Sequence, residues 1–312
     1  MKILFVGLCL CGRNADEKPY PPAMRVLILG AGGMLGHKVW QVFRDRFDCY
    51  GAVHTRRSSP LLGDTRIVDG FEATDFDAVK RLLRSSRPDV VVNCIGVVKQ
   101  HGAAHDPIAS ITLNSLFPHV IARACLDTGA RLIHISTDCV FSGLRGNYTE
   151  VDLPDARDLY GRSKLLGEVT GSALTLRTSI IGRELRTSNG LVEWFLANRG
   201  GSVRGFTRAI FSGVTTAILA DTLAFIIEQH PSIRGLYHVA GAAISKYDLL
   251  AMLNEATGAG VTITPDQSVA IDRTLDAARF QSEMKLPPPS WRAMIAALAT
   301  ESPQYDRWRS AE

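Results

Sequence analysis

Residues 24–36 read MRVLILGAGGMLG, a short apolar run followed directly by a glycine-rich turn. After the turn, apolar residues recur at helical spacing up to Phe47. A strand that enters a helix through such a turn presents the free N–H groups of the helix N-terminus, which bind anions. The glycines keep the turn tight and let the helix pack near the strand. We therefore predict a phosphate-binding loop whose contacts come from Gly30, Gly33, Met34, Leu35 and Gly36.

The order strand, then helix, repeats as far as residue 181. Predicted strands cover 26–29, 50–54, 89–96, 131–136 and 173–181, and predicted helices cover 34–47, 76–83 and 111–127. The continuous apolar run in 89–96 is typical of a strand buried on both faces of a parallel sheet. Repeated units of this kind predict an α/β protein with a Rossmann-type doubly wound parallel sheet. Ligands bind beyond the carboxyl ends of the strands in such a sheet.

The end of the second predicted strand reads HTRR and contains no acid. Sites for NAD usually place an acid here for the ribose hydroxyls, whereas guanidinium groups suit the 2′-phosphate of NADP. We predict NADPH as the cofactor, bound by Arg56 and Arg57, and keep NADH as the alternative. An exposed loop that uses its arginines only for solvation is the structural alternative. Asn93, Ile95 and Gly96 complete the predicted cofactor site at the end of strand 89–96.

Tyr160 and Lys164 are four residues apart in YGRSK. On a helix they share one face about one turn apart. An ammonium near a phenol favours the phenolate and lowers the pKa of the phenol. Such a tyrosine can pass a proton to or from a substrate oxygen while a nicotinamide carries the hydride. Hydroxyls follow the strand 131–136 at Ser136 and Thr137, where one could orient a substrate carbonyl, with hydrogen bonding to the backbone as the alternative role.

Composition excludes several classes of protein. The 312 residues are 46% hydrophobic and 21% charged, which is typical of a globular chain. The 35 Lys and Arg are spread out and the net charge is only +4, so we predict no nucleic-acid partner. The six cysteines have neither C-x-x-C nor zinc spacing, so we expect reduced thiols, no metal site and a cytoplasmic location.

The first 23 residues form a separate segment, because Met24 opens a second start-like stretch. We interpret residues 1–23 as an N-terminal extension, with a signal or lipid anchor as the alternative. No run reaches the roughly 20 apolar residues that a membrane span needs, so we predict no membrane partner.

Taken in order, these motifs resemble the extended short-chain dehydrogenase/reductases, and within them the dTDP-4-dehydrorhamnose reductases. The resemblance covers roughly residues 24–300. It is carried by 30–36 (GAGGMLG), 136–143 (STDCVFSG), 148–150 (YTE), 160–164 (YGRSK), 166–168 (LGE), 176–178 (LRT), 273–276 (RTLD) and 288–291 (PPSW).

The resemblance implies that a nucleotide-activated 4-keto-6-deoxy sugar, a dTDP-sugar in the family, is reduced by NADPH for polysaccharide biosynthesis. Thr137 would orient the keto oxygen, Tyr160 would protonate it, and Lys164 would hold the nicotinamide ribose and tune Tyr160. The helix that bears Asn114 would border the site. Predicted substrate contacts are Lys99, Asp138, Val140, Phe141 and Tyr160.

Three stretches depart from the family pattern. Cys139 occupies a position where the family commonly has Tyr, and the segments 93–101 and 205–208 also differ. Lys99 and His101 lie near the expected substrate entrance, with a plain surface loop as the alternative. These departures leave the sugar open.

Two other functions stay open. The first is a sugar-nucleotide epimerase or dehydratase, which usually prefers NAD. The second is a non-catalytic role like that of the regulatory subunit of methionine adenosyltransferase, which is similar to this family.

The predicted organisation has two parts besides the extension. Residues 24–181 form mainly the NADP(H)-binding domain, and residues 182–312 form mainly a smaller substrate-binding lobe whose chain interleaves with the first domain. Within the second part we predict one strand at 235–241 and helices at 246–256 and 290–299. A homodimer is kept as a hypothesis.

Overall fold

The computed structural model describes residues 24–55, 59–98 and 106–310. The predicted extension 1–23, the arginines Arg56 and Arg57, and the entrance residues Lys99 and His101 lie outside the described residues. In chain order, the strands of the described chain are β1 (Arg25–Leu29), β2 (Asp48–Ala52), β3 (Ile67–Val68), β4 (Val90–Asn93), β5 (Arg131–Thr137), β6 (Leu174–Thr178), β7 (Ile180–Ile181), β8 (Ser202–Phe211), β9 (Val214–Thr215), β10 (Gly235–His238), β11 (Ile244–Ser245) and β12 (Thr262–Asp272).

Ten α-helices accompany these strands in the described residues. They are α1 (Met34–Phe43), α2 (Phe76–Ser86), α3 (Pro107–Ser110), α4 (Phe117–Thr128), α5 (Leu159–Leu166), α6 (Leu191–Ala197), α7 (Thr216–Gln229), α8 (Lys246–Thr257), α9 (Ala278–Met284) and α10 (Trp291–Ser310). A π-helical segment, Ile111–Leu116, joins α3 to α4, and a 3₁₀ turn, Asp138–Val140, follows β5.

Seven strands form one sheet in the order β10-β6-β5-β4-β1-β2-β3, and every pair in it is parallel. The chain winds outward from β1 in one direction and then returns to β4 on its other side. This reversal makes the β1–β4 boundary the topological switch point, where a crevice opens beyond the strand ends. The predicted doubly wound Rossmann-type sheet is confirmed.

The core lies on both faces of this sheet. On one face Val26 and Ile28 pack with Trp40 of α1 and Leu223 of α7. On the other face Leu27, Leu29 and Val91 pack against Leu83 of α2 and Ile121 of α4. Strand residues therefore alternate between two helical layers, which explains why strands such as β4 are buried at every position.

The second half contains more sheet than predicted. Strand β8 pairs in parallel with β12 and antiparallel with β11, and β7 pairs with β9. The prediction of a single strand after residue 181 is therefore wrong. The strand expected at 235–241 exists as β10, but it extends the large sheet beside β6. This half of the chain thus contributes to the large sheet and to both smaller sheets.

Several predicted bounds also change. The helix expected at 76–83 continues to Ser86. It ends there because the next residue, Arg87, adopts the left-handed conformation (φ 45°) and caps the helix C-terminus. The helix expected at 111–127 begins at Pro107 and contains the π-helical segment. The last helix, expected to end at 299, runs to Ser310.

The length and apolar character of a helix decide whether it can cross a membrane. None of the helices of the described chain combines the length and the apolar character that crossing a bilayer requires.

One close contact holds α5 against the π-helical segment. A Cβ added at Gly167, which follows α5, would lie 1.9 Å from the carbonyl oxygen of Asn114. Gly167→Ala must push these backbones apart, and we expect a loss of about 1–3 kcal/mol in the free energy of unfolding, as for other overpacked sites. Denaturant unfolding measures it. Gly171→Ala is the matched control, since its Cβ meets nothing within 4 Å; equal stability of the two variants would contradict the prediction.

Candidate active site

The phosphate loop has the geometry that the sequence predicts. Gly30 adopts φ +84°, and its N–H and that of Ala31 both donate to the Ala52 carbonyl at 3.0 Å. Helix α1 begins at Met34, and no side chain caps it. The N–H groups at the start of a helix have no intrahelical acceptor. Those of Met34, Leu35 and Gly36 therefore suit a pyrophosphate.

Helix α1 approaches the end of β1 closely. A Cβ at Gly36 would lie 2.0 Å from the Gly30 carbonyl oxygen, so only glycine fits there. Gly33 forms the turn between them, with its N–H donating to Gly30 O at 3.0 Å. All five predicted loop residues thus come together beside the switch point.

The β4 end borders the same crevice. The Asn93 side chain accepts a hydrogen bond from the Ile95 N–H at 3.0 Å. A Cβ at Gly30 would lie 2.8 Å from the Ile95 side chain, and one at Gly96 would lie 3.8 Å from the amine of Lys164. The structure therefore brings the predicted residues Asn93, Ile95 and Gly96 between the phosphate loop and the predicted catalytic helix.

Asn114 holds this segment in place. It lies in the π-helical segment and is fully buried. Its amide accepts from the Val97 N–H at 2.8 Å and donates to the Val97 carbonyl at 3.0 Å and to Ser163 Oγ at 3.1 Å. π-helical turns frequently occur at functional sites, and Asn114 lies in such a turn. It ties the β4 end to α5.

The hydroxyls at the end of β5 take different roles. Ser136 donates to Glu168 at 2.7 Å, and Glu168 also pairs with Arg177, so Ser136 belongs to a buried ion pair. Thr137 Oγ1 donates to Asp138 Oδ1 at 3.0 Å and accepts from the Cys139 N–H at 3.1 Å. Of the two candidates, Thr137 is therefore the hydroxyl that lies beside Tyr160.

Tyr160 and Lys164 lie one turn apart on α5, as predicted. Asp158 caps this helix by accepting from the Gly161 N–H at 2.8 Å. The helix packs closely on the chain after β5, because a Cβ at Gly161 would lie 2.2 Å from the Cys139 carbonyl oxygen. This contact brings Tyr160 to Thr137.

The electrostatics of this pair differ from the expectation. Burial raises the pKa of Tyr160, and a hydrogen bond with Thr137 only partly opposes it. Lys164 donates to the Ile135 carbonyl at 2.7 Å, and burial lowers its pKa to about 8. The expected lowering of the Tyr160 pKa by Lys164 is therefore not found in this structure, because burial and the neighbouring Cys139 and Asp138 raise that pKa and only the hydrogen bond with Thr137 opposes them.

Two predicted substrate contacts lie in the core of this structure. Val140 and Phe141 are fully buried. Phe141 stacks on Tyr148 with ring centroids 4.1 Å apart, and the Arg177 guanidinium lies 5.1 Å from its ring. Packing therefore occupies both side chains in this structure, and their role as substrate contacts stays a prediction.

Asp138, the third predicted substrate contact after β5, has charged neighbours that sequence reasoning missed. It is 6% exposed, and burial raises its pKa while Arg273 and Lys246 act in the opposite direction. The Lys246 amine lies 3.6 Å from the centre of the Phe211 ring, and burial lowers its pKa to about 8. Arg273 donates to the Phe141 carbonyl at 2.9 Å. Only the RTLD stretch gave a signal for Arg273, and nothing distinguished Lys246 from other helix residues.

The site contains the parts that nicotinamide-dependent chemistry needs. Among the described residues, no cluster of three or more His, Cys, Asp or Glu could hold a metal ion. The phosphate loop fits a dinucleotide, because the glycines at 30 and 36 let α1 begin close to the end of β1, where its free N–H groups can bind a pyrophosphate.

Comparison with known families decides the membership. The model of the RmlD substrate binding domain matches residues 24–303. The chain belongs to the RmlD substrate-binding domain family.

Individual relatives of the chain differ in what their names say. "Probable low-salt glycan biosynthesis reductase Agl14" of Haloferax volcanii is 28% identical over 90% of this chain and 99% of its own. Methionine adenosyltransferase 2 subunit beta of Rattus norvegicus is 27% identical over 79% of this chain and 76% of its own. The structure of dTDP-4-dehydrorhamnose reductase from Bacillus anthracis in complex with NADP superposes with a TM-score of 0.76, covers 89% of this chain and 99% of its own, and is 22% identical. This last likeness shows the fold.

The phosphate loop gives a direct test. Gly36→Ala places a Cβ 2.0 Å from Gly30 O and must move the α1 N-terminus away from β1. We expect its affinity for NADPH, the cofactor predicted from the sequence, to fall about tenfold or more. Fluorescence titration measures the dissociation constant. Gly32→Ala is the control, since its Cβ makes an ordinary contact at 3.5 Å with Val53. Equal NADPH binding by the two variants would refute the role of this close approach.

Proposed function

We propose that the protein is an NADPH-dependent reductase of a 4-keto group in a nucleotide-activated 4-keto-6-deoxy sugar. The observation that carries the proposal is the assembly of Thr137, Tyr160 and Lys164 beside a dinucleotide-binding loop. Membership of the RmlD family supports it, as do the reductase names of the Haloferax volcanii relative and the Bacillus anthracis structure. A cytoplasmic location fits the four free cysteines among the described residues, at positions 49, 94, 125 and 139.

The roles of the residues follow from their charge states. The raised pKa of Tyr160 keeps its phenol protonated at neutral pH, so it can donate a proton to the keto oxygen. NADPH, when bound, supplies the hydride that reduces the carbonyl carbon. Gly30, Gly33 and the α1 N-terminus would hold the pyrophosphate, and Arg56 and Arg57 the 2′-phosphate. Lys164, charged below pH about 8, would hold the ribose and stabilise the tyrosinate left behind.

Thr137 needs a change of partner to assist. Its hydroxyl proton points to Asp138 in the structure. For Thr137 to orient the keto oxygen, its hydroxyl proton would turn from Asp138 to the substrate. The Asp138 contact therefore competes with the substrate for the Thr137 proton.

The substrate class follows from the charges beside the catalytic residues. Lys246 and Arg273 contribute two cations next to Asp138. Positive charge in a desolvated cleft favours an anionic ligand. The diphosphate of a nucleotide sugar meets this requirement, and Lys99, outside the described residues, is a further candidate contact.

A regulatory role is the second candidate, because methionine adenosyltransferase 2 subunit beta covers most of this chain. A subunit of that kind has no need of a tyrosine aligned with Thr137 and Lys164. An epimerase or dehydratase would use the same residues but usually prefers NAD, so the cofactor preference separates it from the reductase.

The decisive assay follows NADPH oxidation with a dTDP-4-keto-6-deoxy sugar, and NADH is run in parallel. Turnover that favours NADPH supports the reductase. NADPH binding without turnover, together with a stoichiometric complex with a purified methionine adenosyltransferase, would support the regulatory role instead.

Tyr160→Phe tests the catalytic assignment. It removes the proton donor while keeping the ring that packs at the start of α5, so we expect turnover to fall about 10²–10⁴-fold. NADPH affinity should stay within twofold of the wild type. Steady-state kinetics and fluorescence titration measure the two effects. Normal turnover by Tyr160→Phe would show that another group supplies the proton.

A further inference from the structure

A loop between β7 and α6 lies beside the phosphate loop. It consists of residues 184–190 and is called the Glu184 loop below. A Cβ at Gly190, its last residue, would lie 3.3 Å from the sulfur of Met34. Met34 is the first residue of α1. The Glu184 loop therefore touches the helix end that would bind the pyrophosphate.

The carboxylate of Glu184 fixes the shape of this loop from within. Glu184 is 6% exposed. One of its oxygens accepts from the Asn189 N–H at 2.9 Å, and the other accepts from the Gly190 N–H at 3.0 Å. A buried carboxylate with two backbone donors is a strong, directional restraint. It closes the loop upon itself just before α6 begins.

Arg309, in the last turn of α10, holds the loop from outside. Its guanidinium donates to the carbonyls of Glu184 and Thr187, both at 2.9 Å, and to Ser188 Oγ at 3.0 Å. These three bonds reach the buried first residue of the loop, Glu184, and its exposed residues Thr187 and Ser188. They join the end of the described chain to a loop more than a hundred residues earlier.

Helix α10 is itself fixed to α1 by other residues. Tyr305 donates to His37 Nε2 at 2.7 Å, and Lys38 pairs with Glu301 at 2.6 Å. Burial lowers the pKa of His37 to about 4, so its ring is neutral and its Nδ1–H donates to Gly33 O at 2.8 Å. Helix α10 is therefore held against α1 by contacts that do not involve Arg309.

A second guanidinium, that of Arg183, also holds α10 in place. Arg183, just before the loop, is 1% exposed and donates to Glu193 at 2.6 Å, to the Ser302 carbonyl at 3.0 Å and to Asp306 at 2.6 Å. This residue and Tyr305 keep α10 in place when Arg309 is altered. Loss of Arg309 should consequently release the Glu184 loop and leave the helix where it is.

We propose that Arg309 is a positioning residue for the cofactor, which keeps the Glu184 loop against Met34 and so preorganises the pyrophosphate end of the NADPH site. The inference rests on the proposed function, since it takes the crevice beside α1 as the NADPH site. A loop that is ordered before binding adds no ordering cost when the ligand arrives. Through Arg309, the C-terminal helix thus contributes to dinucleotide affinity without touching the dinucleotide.

The test uses Arg309→Met in the full chain. Its matched control is Arg307→Met, which removes the same charge from an exposed position on the same helix turn. We expect the dissociation constant for NADPH, measured by fluorescence titration, to rise about tenfold for Arg309→Met and to stay unchanged for Arg307→Met. The KM for NADPH should rise likewise, while kcat at saturating NADPH is retained. Arg309→Lys should recover part of the affinity.

Glu184→Gln gives a second route, because it loosens the loop from within and leaves α10 untouched. It should weaken NADPH binding like Arg309→Met, with both melting temperatures near that of the wild type. Unchanged NADPH affinity in Arg309→Met overturns the inference, and so does an equal loss in Arg307→Met, which would indicate a general effect of charge. A loss of kcat rather than affinity also overturns it. Failure of the wild-type chain to bind NADPH would instead contradict the proposed function.

Discussion

The close approach of helix backbones to the carboxyl ends of the parallel strands is the constraint on which the rest of the structure depends. Helix α1 can reach the end of β1 only because position 36 has no Cβ, which would lie 2.0 Å from the Gly30 carbonyl oxygen. Helix α5 reaches the chain after β5 in the same manner at Gly161. The first contact places N–H donors for an anion, and the second places a phenol beside a threonine. Both requirements concern backbone distances, so side chains elsewhere in the site can vary.

Around this backbone frame, the side chains of the site form a cluster of buried charges with few direct ion pairs. Lys164 is held by a carbonyl, Lys246 by the face of Phe211, and Arg273 by another carbonyl. Burial lowers the pKa of both lysines to about 8, which means that each ammonium is held at some cost in free energy. Such cations gain from an anionic ligand, because it restores the interactions that water provided. The same reasoning explains why a nucleotide diphosphate suits this cleft better than a neutral sugar does.

The sequence predicted the first half well because its signals are local. A strand such as β4 is apolar at every position, and a loop such as 30–36 carries its geometry in its glycines. Strand β12 was missed because it reads TITPDQSVAID and is mostly exposed, so it shows neither an apolar run nor a clear alternation. The burial of Val140 and Phe141 was not foreseen, because proximity to Thr137 in the chain does not tell which way a side chain points. Glu184, Lys246 and Arg309 gain their meaning only from tertiary contacts, which no local pattern reports.

The raised pKa of Tyr160 sets the protonation state in which the proposed reductase would work. A phenol that stays protonated at neutral pH is ready to act as an acid, as reduction of a ketone requires, whereas oxidation of an alcohol needs the phenolate. After the proton is transferred, a tyrosinate remains in a desolvated place and must be stabilised or protonated again. Lys164 lies one helical turn away with a pKa of about 8, so it can offer charge at neutral pH and a proton to a strongly basic phenolate. Burial therefore keeps Tyr160 in the protonated form that the proposed reduction uses, and it lowers the pKa of Lys164 so that this amine can return a proton to the tyrosinate.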